Sequence, residues 1–209
     1  MVHLSRPIRG IIPTLDAPVI EALAGTTRSL SGREVHRLAG AGSDRGVRLV
    51  LQRLTREGLV LAEPHAGSIL YRANRDHLAW PAIAALVGLR STLTTRLRER
   101  IGGWTAQPVH ASVFGSAARG DADQSSDLDL LLVRPDGADE AWDHQVEELR
   151  AWVVAATGNP CQVFETDRAG IATHVVEGDP LVAAWRRDGV HLAGVPIEEL
   201  VRSARRARS

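Results

Sequence analysis

The chain has 209 residues, of which 44% are hydrophobic, and it carries 25 basic and 25 acidic side chains. That length suffices for one large domain or two small ones, and the hydrophobic content is that of a globular protein. All the basic residues are arginine, which excludes a mechanism that needs a lysine base or a Schiff base, and the single cysteine excludes an internal disulfide.

The sequence shows neither a membrane span nor an export signal. The longest uncharged apolar run covers residues 78–89 and is too short to cross a bilayer. The amino terminus MVHLSRPIRG lacks the apolar core of a signal peptide. We therefore expect a cytoplasmic protein without membrane contact.

Charge is segregated along the chain although its total is zero. Residues 1–76 carry a net charge of +4 and residues 77–104 one of +3, whereas residues 105–209 carry −7. The basic part is a candidate for binding nucleic acid, and the acidic part for binding metal. These segments match the three predicted parts of the chain: an N-terminal domain at 1–76, a linker helix at 77–104 and a C-terminal domain at 105–209.

Three helices and a hairpin are predicted for the N-terminal domain. Apolar spacing indicates a first helix over residues 15–24. Ser31 and Glu34 have the spacing of a capping box at the start of a second helix, and Ser43 is a suitable cap for a third. Two short apolar runs at 59–62 and 68–72 then predict a β-hairpin.

This order of elements resembles the winged helix-turn-helix family across residues 14–76. The resemblance implies that the third helix lies in the major groove of double-stranded DNA and that the hairpin is the wing. The candidate contacts to phosphates or guanine edges are then Arg45, Arg48, Arg53 and Arg72. The alternatives are a winged helix that serves protein contacts, and arginines that merely form a solvated face.

The linker is predicted as one long amphipathic helix. Apolar side chains recur every three or four positions over residues 79–101, and Gly102 and Gly103 end the pattern. The apolar stripe can pack against the domains of the same chain or support a homodimer.

The C-terminal domain begins with the segment VFGSAARGDADQSSDLDLLLV at residues 113–133. Two apolar runs flank its polar residues, and the second run follows Asp127 and Asp129. Two positions apart on a strand, these carboxylates project from the same face and repel each other unless a cation intervenes. Mg²⁺ is the natural cation because it is bound by one or two carboxylates together with substrate phosphates.

The residues before the acids suit a phosphate. Gly115 has no Cβ, so the backbone can approach a phosphate closely, and Ser116 offers a hydroxyl and an N–H where a helix begins. The alternative interpretation is a surface turn with solvated aspartates, because Asp, Gly and Ser are ordinary turn residues.

The spacing of these residues is similar to the GS-x10-DxD signature of the nucleotidyltransferase superfamily, and especially of its minimal nucleotidyltransferase branch. The resemblance implies a mixed α/β (α+β) fold, ATP or another nucleoside triphosphate as substrate, and Mg²⁺ or Mn²⁺ held by Asp127 and Asp129. It places Gly115 and Ser116 at the β- and γ-phosphates. Arg119 would neutralise the leaving pyrophosphate, with a plain surface role as the alternative.

Beyond this segment, the sequence predicts a helix over 138–157, a strand over 161–165 and helical segments at 168–176, at 180–187 and from 197. Active members of the superfamily place a third carboxylate on the strand after the long helix. The matching position here is Gln162, which supplies no charge. Glu165 is the nearest acid and is therefore the candidate for a third metal ligand. Three positions along a strand put it on the opposite face from Gln162, so it can serve only if the strand is offset or bulged.

Two functions are therefore expected. The first is metal-dependent transfer of a nucleoside monophosphate to a hydroxyl of a protein or small molecule, coupled to DNA binding. The second is a DNA-binding regulator or antitoxin-like protein whose transferase domain binds nucleotide or a toxin-like protein partner with little or no catalysis. The resemblance supports both, because minimal nucleotidyltransferases are often antitoxins paired with a small helical toxin.

Overall fold

The computed structural model describes residues 3–120 and 126–206, which form eleven helices and two β-sheets. This result confirms the predicted mixed α/β fold class. The chain divides into two compact units, one of Pro7–Leu89 and one of Met1–Arg6 together with Arg90–Ser209. The division lies within the segment 77–104 that the sequence analysis assigns to a linker. Within the described residues, no helix is both long and apolar enough to cross a membrane.

The first unit contains five helices and a small antiparallel sheet within its described residues. Its strands pair in the order β1-β3-β2. In chain order the elements are α1 (Pro7–Ile11), α2 (Asp16–Ala24), β1 (Leu30–Ser31), α3 (Gly32–Ala39), α4 (Asp44–Arg56), β2 (Val60–His65), β3 (Ser68–Ala73) and α5 (Trp80–Val87).

Local signals in the sequence set the ends of the helices in this unit. The Ser31 side chain accepts a hydrogen bond from the Glu34 backbone, and Glu34 accepts from the Ser31 N–H, so the predicted capping box is present. Gly40 ends α3 in a left-handed conformation at φ +58°. The Ser43 side chain caps α4 by accepting from the Gly46 N–H.

One apolar core holds the first unit together. The hairpin of β2 and β3 closes through Ala66 and Gly67, both with positive φ, which is the backbone of a two-residue turn. The buried apolar residues come from α2, α3, α4 and all three strands, and they are Val19, Leu23, Leu30, Val35, Val47, Leu51, Leu54, Val60, Tyr71 and Ala73.

The prediction of one helix over residues 79–101 is wrong. The structure has two helices there, α5 and α6 (Leu89–Gly102), with Gly88 between them at φ −80° and ψ 1°. Glycine has the weakest helix propensity after proline, so a continuous helix is most easily interrupted at this position. The apolar side chains do recur every three or four positions, but they are divided between α5 and α6.

The second unit is a four-stranded mixed sheet with helices on both faces. Its strands pair in the order β6-β5-β4-β7. After α6, the elements are β4 (His110–Phe114), α7 (Gly115–Arg119), β5 (Leu128–Val133), α8 (Glu140–Thr157), β6 (Cys161–Thr166), α9 (Arg168–Glu177), α10 (Pro180–Asp188), β7 (Val190–Gly194) and α11 (Ile197–Arg206).

The alternating residues of β5 serve two different cores. Leu128, Leu130 and Leu132 pack with α6 and α8 on one face, and Leu131 and Val133 pack with α9, α10 and α11 on the other. Strand β5 is therefore central and nearly continuous in apolar side chains after Asp129. The residues just before it lie at the edge of this packed region, which is where the polar motif of the sequence falls.

Strand β7 was not predicted. It is a five-residue edge strand that pairs antiparallel with β4, and the pairing slips between Ala111 and Ser112. Leu192 is the one buried residue among its five, so the strand has almost no alternating apolar pattern that the sequence could show.

Candidate functional site

The loop after β4 carries Gly115 into direct proximity with an acid on β5. Gly115 has φ +71° and begins the short helix α7. A Cβ built at this position would lie 2.2 Å from Asp129 Oδ2, which no real side chain tolerates. Glycine is therefore required for two reasons. The backbone here is left-handed, and the Asp129 carboxylate occupies the space that a side chain would need. Ser116 follows as the second residue of α7 and is partly exposed.

The two motif aspartates are brought together at the start of β5. Asp129 pairs with Phe114 of β4 on one side and with Gln162 of β6 on the other. Partial burial and the neighbouring charge of Asp127 raise the pKa of Asp129, and the charge of Arg119 opposes this shift. The site thus holds two close carboxylates whose repulsion is only partly offset by the protein.

Gln162 lies directly beside this pair. Its side-chain amide donates a hydrogen bond of 3.3 Å to Asp127 Oδ2. The parallel register of β5 and β6 places Gln162 across from Asp129. An uncharged amide thus stands where the resemblance leads us to expect a third carboxylate.

Glu165 does not join the two aspartates, which corrects its inclusion as a metal ligand. In the register of the sheet Glu165 pairs with Leu132, three positions beyond Asp129, or about 10 Å along the strand. Its carboxylate accepts a hydrogen bond of 2.9 Å from the indole N–H of Trp142, which belongs to the core on the opposite face. Strand β6 runs here without a bulge, so the odd spacing puts Gln162 and Glu165 on different faces.

Arg119 lies at the end of α7 and reaches an acid that the sequence analysis did not select. Its guanidinium donates to Asp188 Oδ2 at 3.3 Å, and Asp188 also accepts two bonds of 2.7 Å from Arg187. These hydrogen bonds, with that from Arg187 the largest cause, lower the pKa of Asp188 and keep it ionised. Asp188 lies 69 residues from Arg119 in the sequence. No local pattern connects the two.

Arg90 is a second residue that the sequence analysis missed. One nitrogen of its guanidinium donates to the carbonyls of Ala117 and Ala118, at 3.1 and 2.6 Å. These carbonyls belong to the last turn of α7, where a cation is also favoured by the helix dipole. Arg90 therefore ties α6 to the loop that carries Gly115 and Ser116.

Comparison with known protein families found one similarity in this part of the chain. Residues 92–172 match the family model of the nucleotidyltransferase domain. The match includes β4, α7 and β5 with Gly115, Ser116, Asp127 and Asp129. No curated protein matches the chain at a significant level.

Solved structures give a weaker likeness. A toxin-antitoxin complex with AMP-PNP is 17% identical, with a TM-score of 0.39, and the alignment covers 55% of this chain and 86% of that one. Two mutants of the toxin-antitoxin MntA-HpeT are 14% and 15% identical, with TM-scores of 0.38 and 0.36; each alignment covers 55% of this chain, and 85% or 84% of the other.

The carboxylates at this site offer a divalent cation two ligands, fewer than a complete protein site would. Within residues 3–120 and 126–206 no group of three or more His, Cys, Asp or Glu side chains is arranged to hold a metal. Two carboxylates remain, Asp127 and Asp129, and Mg²⁺ is commonly held by one or two carboxylates plus substrate phosphates. These residues therefore fit Mg²⁺ or Mn²⁺ that arrives with a triphosphate. Residues 121–125 of the motif lie outside the described residues.

The four arginines predicted to contact DNA do not all lie together. Arg48 lines an open hollow of about 540 Å³ that also includes the start of α3 and the tip of the β2–β3 hairpin. Arg72 is on β3 and pairs with Glu63 of β2 at 3.5 Å. Arg53 pairs instead with Asp16 of α2. Arg45 is exposed near the start of α4.

One further arginine lies at the hollow and was not selected from the sequence. Arg33, in the first turn of α3, is exposed and lines the hollow together with Arg48. The two arginines belong to different helices, and they share one surface because α3 packs against α4. The sequence pattern alone separates them by fifteen positions.

Proposed function

We propose that the C-terminal unit transfers a nucleoside monophosphate from ATP or another nucleoside triphosphate to an acceptor hydroxyl and releases pyrophosphate. The observation that carries this proposal is the contact between Gly115 and Asp129. It brings a backbone that can approach a phosphate against a carboxylate that can hold a metal. The match of residues 92–172 to the nucleotidyltransferase domain supports the same conclusion.

The chain's own residues take distinct roles in this proposal. Gly115 and Ser116 bind the β- and γ-phosphates through backbone and hydroxyl, and Arg119 offsets the charge of the leaving pyrophosphate. Asp127 and Asp129 would hold Mg²⁺ or Mn²⁺, which when bound stabilises charge on the attacking and leaving oxygens. Gln162 orients Asp127 through its amide.

The reaction is a displacement at the α-phosphorus. The acceptor oxygen forms a bond to that phosphorus, and the bond from the phosphorus to the oxygen bridging it to the β-phosphate breaks. The hydroxyl proton passes to a nearby carboxylate or to water. Because nucleoside triphosphates are the donors, we place this activity in the cytoplasm.

Incubation with α-labelled ATP, Mg²⁺ and candidate acceptors tests the proposal. We expect label to be transferred with release of pyrophosphate by the wild-type protein and not by Asp127→Asn. Transfer that survives Asp127→Asn and chelation of divalent metal would overturn the mechanism.

A second function is favoured by Gln162. The amide removes one negative charge from the acid cluster, so a site that binds MgATP without turning it over is consistent with this donor set. In that case the N-terminal unit acts as a winged helix that binds double-stranded DNA, and the second unit serves as a nucleotide sensor or as the docking site for a toxin-like protein. Tight MgATP binding without label transfer to any acceptor, the adjacent gene product included, distinguishes this function from the first.

The N-terminal unit supports the DNA proposal through its shape and charge. Helix α4 and the β2–β3 hairpin flank one hollow, and Arg33 and Arg48 line it. Long cations on two neighbouring helices beside a hairpin are suited to phosphate contacts along a groove. A second copy of the chain would supply the two-fold arrangement that many DNA sites require, so we include a homodimer among the proposed partners.

A further inference from the structure

The cluster of Arg119, Arg187 and Asp188 lies beside the candidate site and joins α7 to the end of α10. Asp188 is the last residue of α10, and its side chain is only 5% exposed. The side chains of Arg119 and Arg187 that bind it are 38% and 66% exposed. A nearly buried carboxylate thus holds two guanidinium groups at the surface.

The backbone around Asp188 is placed by the sheet. Two residues after it, Val190 begins β7 and pairs with Val113, which is two residues before Gly115. Gly189 between them packs against the end of α10, since a Cβ there would lie 2.2 Å from the Trp185 carbonyl oxygen. The register that aligns β7 with β4 therefore fixes Asp188 next to α7.

The charges of the cluster complement those of the aspartates. Two guanidinium groups and one carboxylate leave a net positive charge, and the charge of Arg119 opposes the rise in the pKa of Asp129. A triphosphate bound to a divalent cation keeps a net negative charge, which a pair of arginines is suited to bind through paired N–H donors. The two aspartates therefore suit the cation of such a ligand, and the arginine pair suits its phosphates.

We propose that Asp188 is a positioning residue that holds Arg119 and Arg187 as a pair, and that this pair binds the β,γ-diphosphate of the nucleotide and the pyrophosphate it becomes. This inference rests on the proposed nucleotidyl transfer and extends it by one binding residue, Arg187, and one positioning residue, Asp188. The ligand class is an inorganic or nucleotide-borne diphosphate. A monophosphate lacks the second phosphoryl group that the pair engages.

Calorimetric titration of the full chain with pyrophosphate and with AMP, each with Mg²⁺, tests the pair. We expect Arg187→Gln to weaken pyrophosphate binding about tenfold or more and AMP binding by less than about twofold, since hydrogen bonds between ions are the strong ones. Asp188→Asn should weaken pyrophosphate binding similarly by releasing both guanidinium groups. In steady-state transfer assays, both variants should show a higher KM for the triphosphate and weaker product inhibition by pyrophosphate.

Arg186→Gln is the matched control. Arg186 is the preceding residue of α10, and it pairs with Glu198 of α11 at 2.9 Å instead of Asp188. The substitution removes the same charge from the same helix, so we expect pyrophosphate affinity within about twofold of wild type. Equal effects of Arg187→Gln and Arg186→Gln would overturn the inference, because only the general charge of the helix would then be involved.

Other outcomes separate this inference from the proposed function. If Asp188→Asn lowers the melting temperature but leaves pyrophosphate affinity unchanged, the cluster is a structural link between α10 and α7 and the inference is wrong. If Asp127→Asn abolishes transfer while Arg187→Gln behaves as wild type, nucleotidyl transfer stands and the inference alone fails. If Arg187→Gln weakens pyrophosphate binding in a protein that transfers no label, the arginine pair stands and the transfer proposal fails.

Discussion

Gly115 is the residue whose replacement most directly tests the site geometry. In Gly115→Ala the new Cβ meets Asp129 Oδ2 at 2.2 Å, and the residue keeps a left-handed φ of +71°. We expect the free energy of unfolding to fall by about 1–3 kcal/mol and nucleotide binding to be lost, because Asp129 must move. Urea unfolding and MgATP titration measure the two effects.

Gly137→Ala separates the clash from the backbone strain. Gly137 has nearly the same φ, +72°, but a Cβ there meets nothing within 4 Å. The free energy of unfolding of this variant should fall only by the cost of a left-handed residue with a side chain, about 1–2 kcal/mol. Nucleotide binding should be normal. If both glycine variants bind MgATP as wild type does, the proximity of Gly115 and Asp129 has no functional meaning.

Asp129 carries a second prediction at this scale. Its carboxylate and that of Asp127 repel each other, at a cost on the order of 1 kcal/mol or more near a protein surface. Asp129→Asn should therefore raise the melting temperature without metal and abolish the rise that Mg²⁺ or Mn²⁺ produces with ATP. Thermal unfolding with and without metal is the measurement. Asp136→Asn removes the charge of an exposed turn residue and should preserve the effect of metal on the melting temperature. If Asp129→Asn leaves the melting temperature unchanged with and without metal, the metal site is wrong.

At the scale of elements, we expect Arg90 to hold α7 in position. Its guanidinium binds the carbonyls of Ala117 and Ala118, and a hydrogen bond from a charged group contributes about 1.5–3 kcal/mol. Arg90→Gln should lower the free energy of unfolding by about that amount and weaken MgATP binding. Arg96→Gln, on the same helix and exposed, should do neither. A variant at Arg90 that loses stability but binds MgATP normally would limit its role to packing.

The capping box of α3 gives a pH-dependent prediction. Hydrogen bonds from the Ser31 backbone and side chain, and then from Arg28, lower the pKa of Glu34 from 4.5 to about 2. A carboxyl with a depressed folded pKa contributes stability above pH 4.5, and that contribution is lost as pH falls toward about 2. The stability difference between wild type and Glu34→Gln, followed by urea unfolding, should shrink across this window. A difference that does not change with pH would contradict the ionised capping box.

At the scale of the whole molecule, the two units divide the proposed work between DNA and nucleotide. Double-stranded DNA bound by the first unit releases counterions from each phosphate that an arginine neutralises. Arg48→Gln should therefore weaken binding and reduce the slope of log affinity against log salt by about 1. Fluorescence anisotropy over a salt series with the full-length protein is the measurement.

Arg75→Gln is the control for this measurement. Arg75 follows β3, and its side chain donates to the carbonyls of Ala24 and Thr26, away from the residues that line the hollow. Arg75→Gln removes one positive charge from the first unit, as Arg48→Gln does. Equal salt slopes for the two variants would mean that DNA does not bind in the hollow between α4 and the hairpin.

Much of the local structure was predictable because its causes lie within a few residues. The capping box of Ser31 and Glu34 and the left-handed end of α3 at Gly40 each depend on contacts inside one turn of chain. Gly115 and the two aspartates were selected for the same reason, since the spacing of a loop and a strand fixes which side chains share a face. The break at Gly88 was missed because apolar spacing continues through it in two consecutive helices.

The sequence by itself determined the fold class, the capped ends of α3 and α4 and the pairing of a glycine loop with two acids, because each follows from periodicity or from chemistry at short separation. Only the tertiary structure decided which partners complete the site. The sheet register put Gln162 beside Asp129 and turned Glu165 to Trp142, and strand β7 carried Asp188 to Arg119. Such contacts join residues tens of positions apart, and their geometry depends on how strands and helices pack, which no local pattern of side chains specifies.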